Sequence, residues 1–151
     1  MEAAEFDKFA DEYLAIHNDN LRVSGERPEY FARYKVDEIA RRWLSWGQSP
    51  RTVLDFGSGI GASLPHLARA FPAAELTALD VSARSLAISA KRFEGSVCSV
   101  HYSGIGPMPL PAKYFDLVFT SCVFHHIEAA AHVNLLKEVR RLLCPGARLA
   151  G

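Results

Sequence analysis

Asp55 stands two positions ahead of three alternating glycines in Val53-Leu54-Asp55-Phe56-Gly57-Ser58-Gly59-Ile60-Gly61-Ala62. A strand that runs through such a turn into a helix presents backbone N–H groups and a helix N-terminus, an arrangement that holds anions. Glycine is needed there because a Cβ blocks close backbone approach or a positive φ. The fixed negative charge of Asp55 beside that cradle suits a ligand carrying both a carboxylate and an ammonium. Asp80 closes the next apolar run, where an acid can accept two ribose hydroxyl hydrogen bonds or cap the following helix. His125 and His126 follow a later apolar run. Imidazole is a chemical group suited to proton transfer near neutral pH, so either can serve as general base, or simply pack the loop at a helix entry. His132 lies further on, but no carboxylate or cysteine stands at a ligand spacing, so no metal is expected.

Alternating strands and helices must position these groups. Residues 2–18 read as an amphipathic helix through Phe6, Phe9, Ala10, Tyr13 and Leu14, with His17 solvated, and 18–27 as a polar loop. Pro28 opens a second helix, about 28–46, whose apolar face is Ala32, Val36, Ile39, Ala40 and Trp43. From Arg51 onward come strands at 52–56, 75–79, 97–102 and 115–121, with helices at about 62–71, 83–93 and 129–143. Arg148-Leu149-Ala150 could begin a fifth strand. The last helix carries Val133, Leu136, Val139, Arg140 and Leu143 at helical spacing. Arg41-Arg42 and Arg140-Arg141 read as solvated faces, Trp43 and Trp46 as packing residues. The alternation predicts an α/β fold, a Rossmann-like doubly wound parallel sheet with ligands at the strands' C-terminal rim. Residues 1–50 form an N-terminal helical cap on a 51–151 core.

The bulk properties narrow the partners. The 151 residues are 49% hydrophobic and 23% charged, with 17 basic and 17 acidic residues and no formal net charge. That balance gives no electrostatic pull toward nucleic acid or an anionic membrane. No apolar run spans a bilayer, and the acidic N-terminus lacks a signal pattern. Cys98, Cys122 and Cys144, odd in number and widely spaced, read as reduced thiols in a cytoplasmic protein.

The glycine loop alone leaves a choice, because Gly57-x-Gly59-x-x-Ala62 also satisfies a dinucleotide fingerprint and so allows a nicotinamide oxidoreductase. Asp55 speaks against that, since a buried acid there would oppose a pyrophosphate. With Leu79-Asp80-Val81-Ser82, Leu110-Pro111-Ala112-Lys113-Tyr114-Phe115-Asp116-Leu117-Val118, Val123-Phe124-His125-His126-Ile127 and Glu138-Val139-Arg140-Arg141-Leu142-Leu143-Cys144-Pro145-Gly146, the chain resembles the class I S-adenosylmethionine (SAM)-dependent methyltransferases. It is most similar to their small-molecule methyltransferase-domain subgroup. The resemblance covers most of residues 6–149.

The resemblance implies SAM as cofactor and a small-molecule nucleophile as methyl acceptor. Amides around Gly57, Ser58, Gly59 and Gly61 would face the methionine carboxylate, and Asp55 would hold the ammonium. Asp80 would take the ribose, and Val81 and Ile105 would flank adenine. Ser121-Cys122-Val123 would line the methionine end, and Tyr13 would close over the cofactor. Gly104 stands where many relatives carry an acid toward the adenine amino group. The sheet of this class usually has seven strands, whereas this chain stops where a fifth strand begins, so it is expected to lack the usual C-terminal strands. That would leave the fourth strand as an exposed apolar edge, open to pairing with a second copy. A truncated, catalytically inactive SAM-binding or interaction module is then the alternative function.

Overall fold

The computed structural model describes residues 28–151. The expected first helix, with Tyr13 and His17, lies outside the described residues. The elements are α1 (Pro28–Ser45), β1 (Thr52–Phe56), α2 (Leu64–Ala70), β2 (Glu75–Asp80), α3 (Ala83–Arg92), β3 (Val97–His101), β4 (Phe115–Thr120), a 3-10 turn (Phe124–His126), α4 (Ala129–Leu142) and β5 (Leu143–Ala150). Ser82 caps α3, its hydroxyl accepting the Ser85 N–H at 3.0 Å.

The five strands are parallel in the order β3-β2-β1-β4-β5. Side chains alternate across the sheet. Val53, Leu76, Leu117 and Phe119 meet Val36, Ile39 and Trp43 of α1 and Leu67 of α2 on one face. Leu54, Phe56, Leu79 and Val118 meet Val139 and Leu142 of α4 on the other. Leu86 of α3 packs with Leu64 and Ala78. The result is an α/β/α sandwich of the Rossmann-like class, with the apolar stripe read for α1 turned onto the sheet. Arg41 and Arg42 lie exposed and pair with Glu38 of their own helix.

Three expectations change. The fourth strand is not an edge, because β5 pairs beside it. Cys144-Pro145-Gly146 does not separate a helix from a later strand; α4 passes directly into β5. Leu143 pairs with Phe115 and Arg148 with Leu117, so residues 144–147 bulge out opposite the single residue Asp116. The bulge absorbs the proline, which could not donate to a regular ladder. The reason given for self-association through β4 falls with this pairing. The stripe read for α4 is also rotated: Val139 and Leu142 are buried, while Val133 and Leu136 are 60% and 44% exposed. Arg148 of β5 instead lies over the Trp46 ring, 4.0 Å from its centroid. Among the described residues no helix is long and apolar enough to cross a membrane.

The rotated stripe makes a direct prediction. Leu142→Ala should lower unfolding stability by about 2–5 kcal/mol, as full burial of a leucine implies. Leu136→Ala should change it by less than about 0.5 kcal/mol. Urea denaturation of both variants measures this, and equal losses would contradict the packing of α4.

Candidate cofactor-binding site

Strands β1 and β4 are neighbours, yet the helices that follow them lie on opposite faces. Their C-terminal ends therefore border the crevice where open parallel sheets take ligands. A cleft of about 920 Å³ opens there. Of the residues expected at the site, Gly57, Gly59, Asp80, Val81, Ile105 and His126 line it. Asp55, Ser58, Gly61, Ser121 and His125 do not line its wall. Asp55 and Ser58 are buried immediately around Phe56 and Gly57, which do, and Ser121 adjoins the lining residue Cys122.

The amide cradle is rearranged relative to expectation. Gly57 and Ser58 both donate to the Leu79 carbonyl (2.8 and 3.1 Å), and Gly61 donates to the Ser58 carbonyl (2.9 Å). Gly59 donates to Asp80 Oδ2 at 2.7 Å. These four N–H groups stitch the loop to β2 and to itself, so they are not available to a carboxylate. The sequence could not show this, because three of these four bonds go to acceptors on another strand, β2. Asp80 accepts a second bond from the Ser82 N–H through Oδ1 at 2.8 Å. It thus ties two loops together while standing on the cleft wall.

The glycines have different reasons. A Cβ on Gly57 would collide with the Val123 side chain. One on Gly61 would fall 2.6 Å from Ser89 Oγ and 2.9 Å from Leu64 and Phe93 atoms, so this glycine serves helix packing. Gly59, also at positive φ, faces open space along the cleft.

Asp55 is buried, and its Oδ2 has no hydrogen-bond partner among the described residues; Ser58 Oγ and Thr120 Oγ1 share that state. Burial first, and the nearby negative charge of Asp80 second, push the Asp55 carboxyl up to about 7. A buried acid without a donor is costly unless something supplies a cation or a hydrogen bond. The three orphaned atoms cluster by chain position at the ends of β1 and β4, which marks that end as built for a polar ligand group.

The histidines separate. His125 is exposed, and its ring lies 3.8 Å from that of half-buried His126, centroid to centroid. His132 Nε2 faces the carbonyls of Phe124 (3.0 Å) and Ile127 (2.9 Å), so the Nε2–H tautomer pins the 3-10 turn. Among the described residues no group of three His, Cys, Asp or Glu side chains could hold a metal ion. Asp116 sits at the opposite rim and accepts the Arg51 N–H at 2.8 Å, a structural duty. Arg141 is not on a solvated face. It pairs with Glu138 and donates to the Leu110 and Met108 carbonyls, 3.0 Å each. Nothing in its helical position separates it from Arg140, which is why the sequence reading missed it.

A family model described as a methyltransferase domain matches residues 53–146. The chain belongs to this family. Its cofactor is S-adenosylmethionine, and the residues present fit that group: an orphaned carboxyl for an ammonium, Asp80 on the cleft wall for a ribose, and apolar Val81 and Ile105 beside it. Trans-aconitate 2-methyltransferase of an Acidovorax species is 32% identical over 68% of this chain and 38% of the relative. Ribosomal RNA small subunit methyltransferase C of Pseudomonas entomophila is 34% identical over 98% of this chain and 46% of its own length. A solved SAM-dependent methyltransferase from Aquifex aeolicus superposes with a TM-score of 0.68 at 19% identity, covering 99% of this chain and 71% of that one. The chain thus spans less than half the length of these two curated relatives.

Two outcomes test the site. The Asp55 carboxyl is higher in the folded than in the unfolded chain, so its contribution to stability is intact below about pH 4 and falls away as pH rises toward 7. Relative to Asp55→Asn, the ligand-free protein should lose a few kcal/mol across that window. Urea midpoints between pH 4 and 8 measure it, and parallel curves for the two proteins would refute the burial argument. Gly61→Ala should destabilise more than Gly59→Ala, by about 1–3 kcal/mol, because only the former is overpacked.

Proposed function

We propose that the protein transfers the methyl group of S-adenosylmethionine to a small-molecule nucleophile. The observation that carries this is the buried Asp55 carboxyl near the end of β1, whose Oδ2 has no hydrogen-bond partner among the described residues, beside a cleft whose wall carries a second carboxylate, Asp80. When bound, the cofactor supplies a methyl group already activated on a sulfonium. The protein's own work is to bind, orient and exclude water. Asp55 holds the ammonium, with Ser58 Oγ and Thr120 Oγ1 as further buried, unsatisfied polar atoms at the same strand ends. Asp80 holds the ribose without releasing the loops it ties. Val81 and Ile105 cover the adenine; Ile105 is 83% exposed, a large apolar side chain waiting for a partner. Tyr13 is assigned to the same site from sequence alone. Ser121, which accepts a hydrogen bond from Lys35 Nζ at 3.2 Å, borders the methionine end.

A protonated acceptor must lose its proton, and His126 is the imidazole on the cleft wall, with the His125 ring against it at a 44° tilt. A small-molecule acceptor is supported by the trans-aconitate relative and by the zero net charge. A second reading, an RNA acceptor, is favoured by the ribosomal RNA relative, but the charge balance gives no phosphate-binding surplus. The three cysteines are unpaired, which supports a reducing, cytoplasmic setting.

Isothermal titration with SAM and with its demethylated product, S-adenosylhomocysteine, tests the reading. Both should bind, and Asp80→Ala should weaken binding at least tenfold. Absence of heat with either ligand would sink the proposal.

A further inference from the structure

The cleft wall contains a soft segment. Gly104, Ile105, Gly106 and Pro107 line the cleft in succession, and both glycines take positive φ, 80° and 75°. Such a stretch has high chain entropy when unrestrained and would blur any surface it presents. The structure fastens it from two sides. At its start, the Tyr102 hydroxyl donates to the Gly106 carbonyl at 2.7 Å. At its end, the Met108 N–H donates to Glu138 Oε2 at 2.9 Å, and Arg141 donates through separate nitrogens to the Met108 and Leu110 carbonyls. The same guanidinium grips Glu138 at 2.9–3.1 Å. That pair draws the Glu138 carboxyl below its ordinary range, with the Arg141 hydrogen bond as the largest cause.

Three features separate Arg141 from a generic surface arginine. It satisfies two backbone carbonyls and a carboxylate at once, which a planar fork of five N–H donors can do and an ammonium cannot do in the same geometry. Its partners on the loop are 31 and 33 residues away in sequence, so the contacts fix tertiary placement rather than helix stability. It does not line the cleft, whereas Glu138 and the segment it helps to hold do.

Building on the cofactor reading above, we propose that Arg141 is a positioning residue for the cofactor, locking the 104–110 segment through Glu138, Met108 and Leu110 so that the cleft wall is formed before the ligand arrives. Preorganisation of this kind raises affinity by removing the ordering cost from the binding step. Arg141 therefore acts on cofactor affinity from behind the cleft wall, while Tyr102, itself on that wall, fastens the other end of the segment.

Titration of S-adenosylhomocysteine into wild type, Arg141→Met, Arg141→Lys and Arg140→Met tests this. Each variant is also checked for cooperative urea unfolding. Arg141→Met should bind at least tenfold more weakly than wild type while still unfolding cooperatively. Arg141→Lys should recover only part of the loss, and Arg140→Met should stay within twofold. Arg141→Met within twofold of wild type overturns the proposal. If Arg141→Met does not fold, Arg141→Lys decides: at least threefold weaker binding supports the lock, and unchanged binding refutes it. Wild type that binds neither SAM nor S-adenosylhomocysteine removes the cofactor reading instead. The lock itself is then judged by amide hydrogen exchange at Met108, which should speed up at least tenfold in Arg141→Met; unchanged exchange overturns it.

Discussion

The rim of the sheet depends on one carboxylate. Asp80 receives the Gly59 N–H on one oxygen and the Ser82 N–H on the other, and so joins the loops that follow β1 and β2. Charge-assisted bonds of this kind are the strong ones, and a pair of them fixes both position and orientation. With Asp80 set, the glycine turn folds back onto β2, Ser82 is presented to cap α3, and the cleft gains a polar wall. The same negative charge makes the ionisation of Asp55 harder, so the site rests on two acids held in unlike circumstances. One is satisfied by the protein, and the other is left for something else to satisfy.

Much of this was legible in the residues, and the reasons are local. The alternation of strands and helices rests on period and punctuation, so β1, β2, β4 and the apolar stripe of α1 fall where they were read. Asp55 and Asp80 stand at strand ends, and strand ends in a parallel sheet share one rim. What stayed illegible was set by partners distant in the chain. The loop amides looked free because their acceptors, Leu79 and Asp80, come from β2. Arg141 looked like Arg140 because two backbone carbonyls, not any side-chain pattern, define its role. The edge strand was misplaced because a Pro-Gly pair usually ends an element, and here a bulge carries it past β4.

The glycines make the same point at finer scale. Three positive-φ residues at alternate positions read as one motif, yet each answers to a different neighbour: Val123 after β4, open space at the cleft, and the contact between α2 and α3. A motif that seems to describe one ligand contact is in fact shared between binding and packing. Only at the middle glycine is the space that a Cβ would take left open along the cleft.

The passage from α4 into β5 has a mechanical consequence. Arg141 and Leu142 end the helix, Leu143 starts the strand, and the Arg141 and Leu142 carbonyls take the N–H groups of Lys113 and Tyr114 just before β4. No slack lies between the guanidinium that fastens the cleft wall and the outer strand of the described sheet. Leu143, the first residue of β5, pairs with Phe115 one residue after the helix ends, before the 144–147 bulge interrupts the ladder. The outer strand and the cleft wall are therefore moored at neighbouring residues, 143 and 141, and share one point of attachment to the start of β4.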